Sequence, residues 1–157
     1  MHEHLGSAKA ELVKSYNAYL MTNKTKLYAF NSIVSILKAS FCEREPHNNL
    51  FPQLILFMEK LKESFAFDEY IKFELEILKE SGYQLQLNSC AATGISEDLI
   101  YVSPKSGQAV SRNAGMPYAS KLHTLPLILI NSEAIDLNSI NDAFKLTSYY
   151  IARYILA

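Results

Sequence analysis

The sequence predicts a mostly α protein, a compact helical bundle with one small β-hairpin. Three observations carry that expectation. Apolar residues recur at helical spacing through most of the first half of the chain. A short apolar stretch around Pro104 and Gly107 has the residues of a tight turn at its centre. Apolar residues make up 49% of the 157 positions and charged residues 20%, an ordinary globular balance in a chain long enough to bury a real core.

The elements follow in order. Leu5 to Met21 has mixed spacing, with Leu12, Val13, Tyr16, Tyr19 and Leu20, and reads as a helix or a bent connection. Leu27, Phe30, Val34, Leu37 and Phe41 form one helical stripe, interrupted at Arg44 to Asn49 by Pro46. Asn48 or Asn49 is placed to cap the next helix, whose stripe runs Leu50, Leu54, Phe57, Met58, Leu61 and Phe65. Asp68 is placed to cap a third, bearing Ile71, Leu75 and Leu78, which Gly82 ends in a left-handed conformation. Residues 99 to 103 and 108 to 112 read as short strands. The last helix starts at Ser139-Ile-Asn-Asp142, spaced as a capping box, and carries Ile140, Phe144, Ile151 and Ile155 on its apolar face.

Helix, knuckle, hairpin, second knuckle is the layout of a zinc ribbon. Such a ribbon needs two Cys-x-x-Cys pairs, because four thiolates must converge on one tetrahedral ion. Here Cys90 stands alone, with Thr93, Ser111 and Ala114 at the other three positions. The element is therefore expected to be a degenerate, metal-free ribbon held by packing and hydrogen bonds, with Gly94, Gly107 and Gly115 supplying permissive backbone. No metal and no cofactor are expected.

Other chemistry is sparse. The histidines His2, His4, His47 and His123 are scattered, and His47 is expected in an exposed loop. Glu74 and Glu76 point to different sides of a helix and read as a solvated face. No glycine loop has a phosphate-binding pattern, and no convergent catalytic set can be assembled. The two cysteines suit a reducing cytoplasm, no apolar run is long enough to span a membrane, and the first residues lack the pattern of a signal peptide. The formal net charge of −1 excludes a globally basic nucleic-acid binder, so any anion binding must be local. One stretch stands out. Leu99 to Ser132 contains Lys105, Arg112 and Lys121 but no acid, with Tyr101 and Tyr118 interleaved. Cations beside aromatics suit single-stranded nucleic acid or an acidic peptide. Tyr149, Tyr150 and Tyr154 cluster in the last helix, where amphipathic packing accounts for them.

The same residues carry a resemblance. The phrase FELEILKESGY (Phe73 to Tyr83), the knuckle CAATG (Cys90 to Gly94) and the stretch YVSPKSGQAVSRNAGMPY (Tyr101 to Tyr118) resemble the C-terminal domain of the RecO family, in the zinc-less variety common in alphaproteobacteria. Weaker likeness extends to Glu43-Arg-Glu-Pro-His47, to Leu146-Thr147 and to Glu3-His4-Leu5-Gly6. The resemblance implies a recombination mediator in DNA repair that is not an enzyme. Its implied partners are the C-terminal tail of single-stranded DNA-binding protein (SSB), RecR, and single- and double-stranded DNA, with RecA loading and strand annealing as outcomes. The family also begins with an OB-fold of roughly eighty residues, the size of a small domain, for which this chain has no room. Residues 1 to 23 are then expected to be the connection from that missing domain. Residues 24 to 157 would be the helical domain, with its hairpin excursion at about 88 to 118. DNA binding would be weak without the OB-fold. Arg112 is the expected anchor for the SSB tail, with Lys105, Lys121, Tyr101 and Tyr118 around it. A rival reading is a truncated structural remnant with little activity; a more distant one is an enzyme of unknown type.

Overall fold

A computed structural model describes residues 6–7, 9–130 and 136–157. The segment Glu3 to Leu5, His2 and His4 lie outside the described residues. Among the described residues there are six helices and a small sheet, mostly α as the periodicity predicts.

The first helix is short. Residues 9 to 16 have no regular structure, and only α1 (Asn17–Met21) is helical before the main bundle. The side chain of Asn23 then caps α2 (Lys24–Ser40), accepting from the Thr25 and Lys26 N–H groups. The buried face of α2 is Ala29, Ile33 and Ile36, not the expected stripe. Leu27, Phe30, Leu37 and Phe41 pack only partly against the core. The helix thus has two apolar faces, and the one bearing Ala29, Ile33 and Ile36 is the more deeply buried. It stops at Ser40, where Phe41 turns extended, and Arg44 adopts φ 67°. The break precedes Pro46 by several residues, so the proline ring is not what ends the helix.

Helix α3 (Leu50–Glu63) buries Leu50, Phe57, Met58 and Leu61. Asn49 occupies its N-cap position but makes no side-chain cap bond. Helix α4 (Phe67–Glu80) begins one residue before Asp68, with Ala66 at the cap position. Asp68 lies instead in the first turn, where a carboxylate suits the helix dipole, and pairs with Lys72 at 3.0 Å. Its buried face is broad: Tyr70, Ile71, Phe73, Glu74, Ile77 and Leu78. Gly82 ends α4 as predicted, at φ 87°. The Gly82 and Tyr83 N–H groups return to the Lys79 and Leu78 carbonyls at 3.0 and 2.8 Å, the double bond of a Schellman ending.

Beyond it the chain forms β1 (Gln86–Cys90), β2 (Leu99–Val102), β3 (Gln108–Ser111) and β4 (His123–Thr124). The expected hairpin is β2–β3. It is the centre of a four-stranded sheet of order β1-β3-β2-β4, in which β1 runs parallel to β3 and the other pairs are antiparallel. Gly107 turns the hairpin at φ 68°, its N–H bonded to the Ser103 carbonyl at 2.9 Å. A short helix α5 (Arg112–Gly115) and two 3-10 turns, Met116–Lys121 and Leu127–Leu129, follow.

Helix α6 (Leu137–Tyr154) closes the core. Its cap is Asp136, which accepts from the Ser139 N–H at 2.8 Å, so the helix starts earlier than the Ser139 box predicts. Ser139 is buried, and its hydroxyl accepts from the Ile128 N–H at 2.9 Å, tying α6 to the second 3-10 turn. The buried face of α6 is Ala143, Leu146, Thr147, Tyr150 and Ile151; Ile140, Phe144 and Ile155 flank it half-buried. Two polar expectations also change. Glu74 is 4% exposed, packed between helices and not on a solvated face. His47 is half-buried against Phe41, ring centroids 4.1 Å apart, with Nδ1 3.3 Å from Glu80 Oε1.

Candidate functional site

Parallel pairing of β1 with β3 brings the ends of those strands together, and each end opens a knuckle. Cys90 ends β1 and Ser111 ends β3. The Cys90 sulfur accepts from the Ser111 N–H at 3.2 Å and lies 3.4 Å from Ser111 Oγ. Burial pushes the thiol up. Hydrogen bonds from the Ser111 hydroxyl, the Thr93 side chain and the Ser111 and Ala92 N–H groups outweigh it and bring the thiol down to about 6. Three of the four ribbon positions, Cys90, Thr93 and Ser111, therefore meet in one hydrogen-bonded cluster. Ala114 is half-buried in the second knuckle and has no polar atom to add. A single thiolate with two hydroxyls and a methyl group is not a zinc donor set. Among the described residues no group of three or more His, Cys, Asp or Glu could hold a metal ion.

The first knuckle turns at Gly94, φ 73°, whose N–H bonds the Cys90 carbonyl at 2.8 Å. Gly115 in the second has an ordinary backbone, φ −88°. It is glycine for space: a Cβ there would lie 2.3 Å from Tyr101 Cδ2 and 3.1 Å from Leu122 Cδ1. Tyr101 is half-buried and covers the second knuckle at Gly115.

The remaining residues of the acid-free stretch divide into two groups. Arg112 opens α5, with exposed Tyr118 and Lys121 on the 3-10 turn that follows directly. Arg112 Nε pairs with Asp98, one residue upstream of the stretch, at 3.1 Å, and both side chains are about half exposed (53% and 48%). Lys105 is exposed at the opposite end of the hairpin, beside the last turn of α6. The length of β3 separates it from Arg112, roughly 3.3 Å for each residue, so the fold does not bring these two cations together.

At the Lys105 end lies a cluster that sequence spacing missed. Tyr150 is fully buried and donates to the Ser103 carbonyl at 2.7 Å. Arg153 Nη1 donates to the Pro104 carbonyl at 3.1 Å and to Tyr149 Oη at 2.8 Å. Its guanidinium lies 5.4 Å from the Tyr154 ring and 6.0 Å from that of Tyr149. Tyr83 stacks on Tyr154, centroids 4.4 Å apart and planes within 8°. The tyrosines of α6 are legible as packing in the case of Tyr150. Tyr83 comes from the end of α4, and no spacing rule pairs it with α6.

The buried acid–hydroxyl network belongs to the scaffold. Thr147 donates to Glu74 Oε2 at 2.5 Å, and Tyr70 donates to Ser32 Oγ at 2.8 Å, joining α2, α4 and α6. Burial raises the Glu74 carboxyl above the usual range. A more open cleft of about 410 Å³ lies between α3 and α4, where Phe57 and Phe73 form the floor and Lys60, Lys72, Glu69 and Glu76 the walls. Its charges largely cancel in ion pairs. No helix among the described residues is long and apolar enough to cross a membrane.

Comparison with known proteins gives a consistent answer. The chain is 50% identical over 157 residues to the "DNA repair protein RecO" of Rickettsia rickettsii (strain Iowa), covering 99% of this chain and 66% of that protein. It is 48% identical over 156 residues to the protein of the same name from Rickettsia canadensis (strain McKiel) and 47% identical to that of Rickettsia bellii (strain OSU 85-389). In both cases the match covers 99% of this chain and 65% of the relative. The chain therefore spans a little under two thirds of the length of the curated relatives it matches. No solved structure matches it. The family described as "Recombination protein O C terminal" matches residues 21–157, a span that takes in all of α2 to α6 and the whole sheet, and the chain belongs to that family.

Proposed function

We propose that this domain is a binding module of a recombination mediator, not an enzyme. It would dock the acidic, Phe-ended C-terminal tail of SSB and engage RecR in cytoplasmic RecA loading and strand annealing. Weaker contacts to single- and double-stranded DNA would be secondary. The observation that carries the reading is the family match over residues 21–157. The rim of Arg112, Tyr118 and Lys121 supports it, since it offers two exposed cations and an exposed ring on one continuous segment. The two buried groups with displaced acidities, Glu74 and Cys90, are not placed to act together. Glu74 and Cys90 are 4% and 2% exposed and sit in different parts of the fold. We also read the knuckles and hairpin as a degenerate zinc-ribbon-like element in which the Cys90–Ser111 contact stands where the ion would be.

Arg112 is half exposed and already paired with Asp98. An exposed pair of this kind is worth about 0–1 kcal/mol, so a peptide carboxylate can replace Asp98 at little cost. Arg112→Ala is expected to weaken an SSB-tail peptide several-fold, and Lys105→Ala, at the far end of the hairpin, to leave it nearly unchanged. Fluorescence anisotropy with a labelled peptide reads both. A peptide lacking its terminal Phe should fail to bind the wild-type chain. Equal affinities for Arg112→Ala and wild type would remove this rim as the site. Absence of binding in every variant would leave the domain a structural remnant.

A further inference from the structure

Three tyrosine rings form a continuous stack from the core to the surface. Tyr150 is buried, Tyr154 lies 6.1 Å from it with planes within 10°, and Tyr83 lies 4.4 Å beyond at 8°. Tyr83 is 41% exposed, and Tyr154 is its one aromatic partner among the described residues. One of its faces is thus covered, and its exposure belongs to the outer face and edge. The stack is fixed from below. The Tyr150 hydroxyl is bonded to the Ser103 carbonyl, and the turn of Gly107 packs against the Tyr150 ring. Tyr154 is set sideways by Arg153 and by its hydroxyl, which lies 3.4 Å from the Lys105 carbonyl. Tyr83 itself follows the Schellman ending of α4, a rigid anchor for an exposed ring.

Two cations border this platform. Neither Lys105 nor Arg153 makes an ion pair among the described residues. The Arg153 guanidinium is held by the Pro104 carbonyl and Tyr149, so its position is set before any ligand arrives. The Lys105 side chain is exposed on the turn. A rigid ring with an open face, beside two cations free of acids, matches one chemistry well. Bases stack on the ring without regard to sequence, and phosphates meet the cations.

We propose that the Tyr83 face, with Lys105 and Arg153 at its border, is a stacking platform for single-stranded nucleic acid in this helical domain. It rests on the DNA-binding part of the reading above and is independent of the Arg112 rim. It requires an unpaired base, because a duplex has no open base face except at its ends. Few phosphates are neutralised, so the salt dependence should be shallow, with each cation contributing a slope of about 0.7 for a single strand.

The test is anisotropy of a short fluorescein-labelled oligothymidylate with the full chain, at two salt concentrations. Duplex and abasic strands of equal length serve as comparisons. Tyr83→Phe should bind as wild type does, and Tyr83→Ala should lose about 10-fold, the order expected for one stacked base. Lys105→Glu alters an exposed side chain on a turn and should keep the fold while weakening binding and flattening the salt slope. Tyr83→Ala and Lys105→Glu should both bind the SSB-tail peptide as wild type does, which separates failure here from failure of the peptide reading. An abasic strand bound as tightly as the oligothymidylate would overturn the stacking role. So would equal affinity for duplex, or a folded Tyr83→Ala that binds like Tyr83→Phe. Loss of peptide binding alone in Lys105→Glu would assign the platform to an acidic peptide instead.

Discussion

Glu74 is a carboxyl in the interface of α4 and α6 with no ion pair among the described residues. Its surroundings are hydroxyls: Thr147 bonds it directly, and Tyr70 stands beside it, bonded in turn to Ser32. Burial disfavours the charged form and raises its pKa above the ordinary carboxylate value, while the hydroxyl bonds partly offset that shift. A group raised in the folded state stabilises the fold fully below its unfolded value, about 4.3. That contribution is lost as pH rises through the folded value. Glu74→Gln keeps the shape and an acceptor for Thr147 but cannot ionise. Its stability relative to wild type should therefore improve from pH 5 to pH 8, read as urea midpoints. Parallel midpoints for the two proteins across that range would mean the carboxyl titrates as it does in the unfolded chain. In the sequence Thr147 carries no signal beyond the family resemblance of Leu146-Thr147. Its partner lies 73 residues away, a separation that no local spacing rule reaches.

At the scale of elements, what the sequence made legible was whatever had a strong local signal. The bundle helices α2, α3, α4 and α6 follow apolar periodicity, and positive φ marks Gly82 at the end of α4 and Gly107 in the hairpin turn. The flanking strands were not legible. In β1 the residues Gln86, Asn88 and Ser89 are exposed and polar, and β4 is two residues long. Both exist because the hairpin offers them edges to pair with, and that is a tertiary cause. Helix caps shifted for a similar reason. Ser139 looked like a cap but was recruited to hold the Ile128 N–H, leaving Asp136 to cap α6. Gly115 shows how a correct residue can have the wrong reason attached: its backbone is ordinary, and the Tyr101 ring needs the space. Gly115→Ala should consequently cost about 1–3 kcal/mol, the range for overpacking a filled site. Chemical unfolding measures it. Wild-type stability in this variant would show that the Tyr101 ring swings aside freely, and the second knuckle would then lack the cover described for it.

For the whole molecule, the question is what holds the ends of β1 and β3 together where the two knuckles begin. Packing supplies much of the answer, since Val102 and Ala109 are buried where the sheet meets the core and Cys90, Val110 and Ser111 are buried as well. Polar contacts supply the rest. The parallel β1–β3 pairing is continued past the strand by the Ala91 N–H bond to the Ala109 carbonyl at 2.8 Å, and the Cys90 sulfur accepts from Ser111 between the same strand ends. The hairpin is also tied to α6 through Tyr150 and Arg153, so the sheet leans on the bundle at its turn end. A fold built in this way should gain nothing from zinc. Structural zinc contributes folding free energy outright, and a domain that depends on it unfolds when a chelator removes it. The purified chain should therefore carry well under one zinc per molecule by elemental analysis, and its thermal midpoint should be the same with and without chelator. One zinc per chain, or a midpoint that falls when chelator is added, would mean that residues outside this knuckle complete a metal site. Cys90→Ala should lower the midpoint through loss of the sulfur contacts, and added zinc should restore none of that loss.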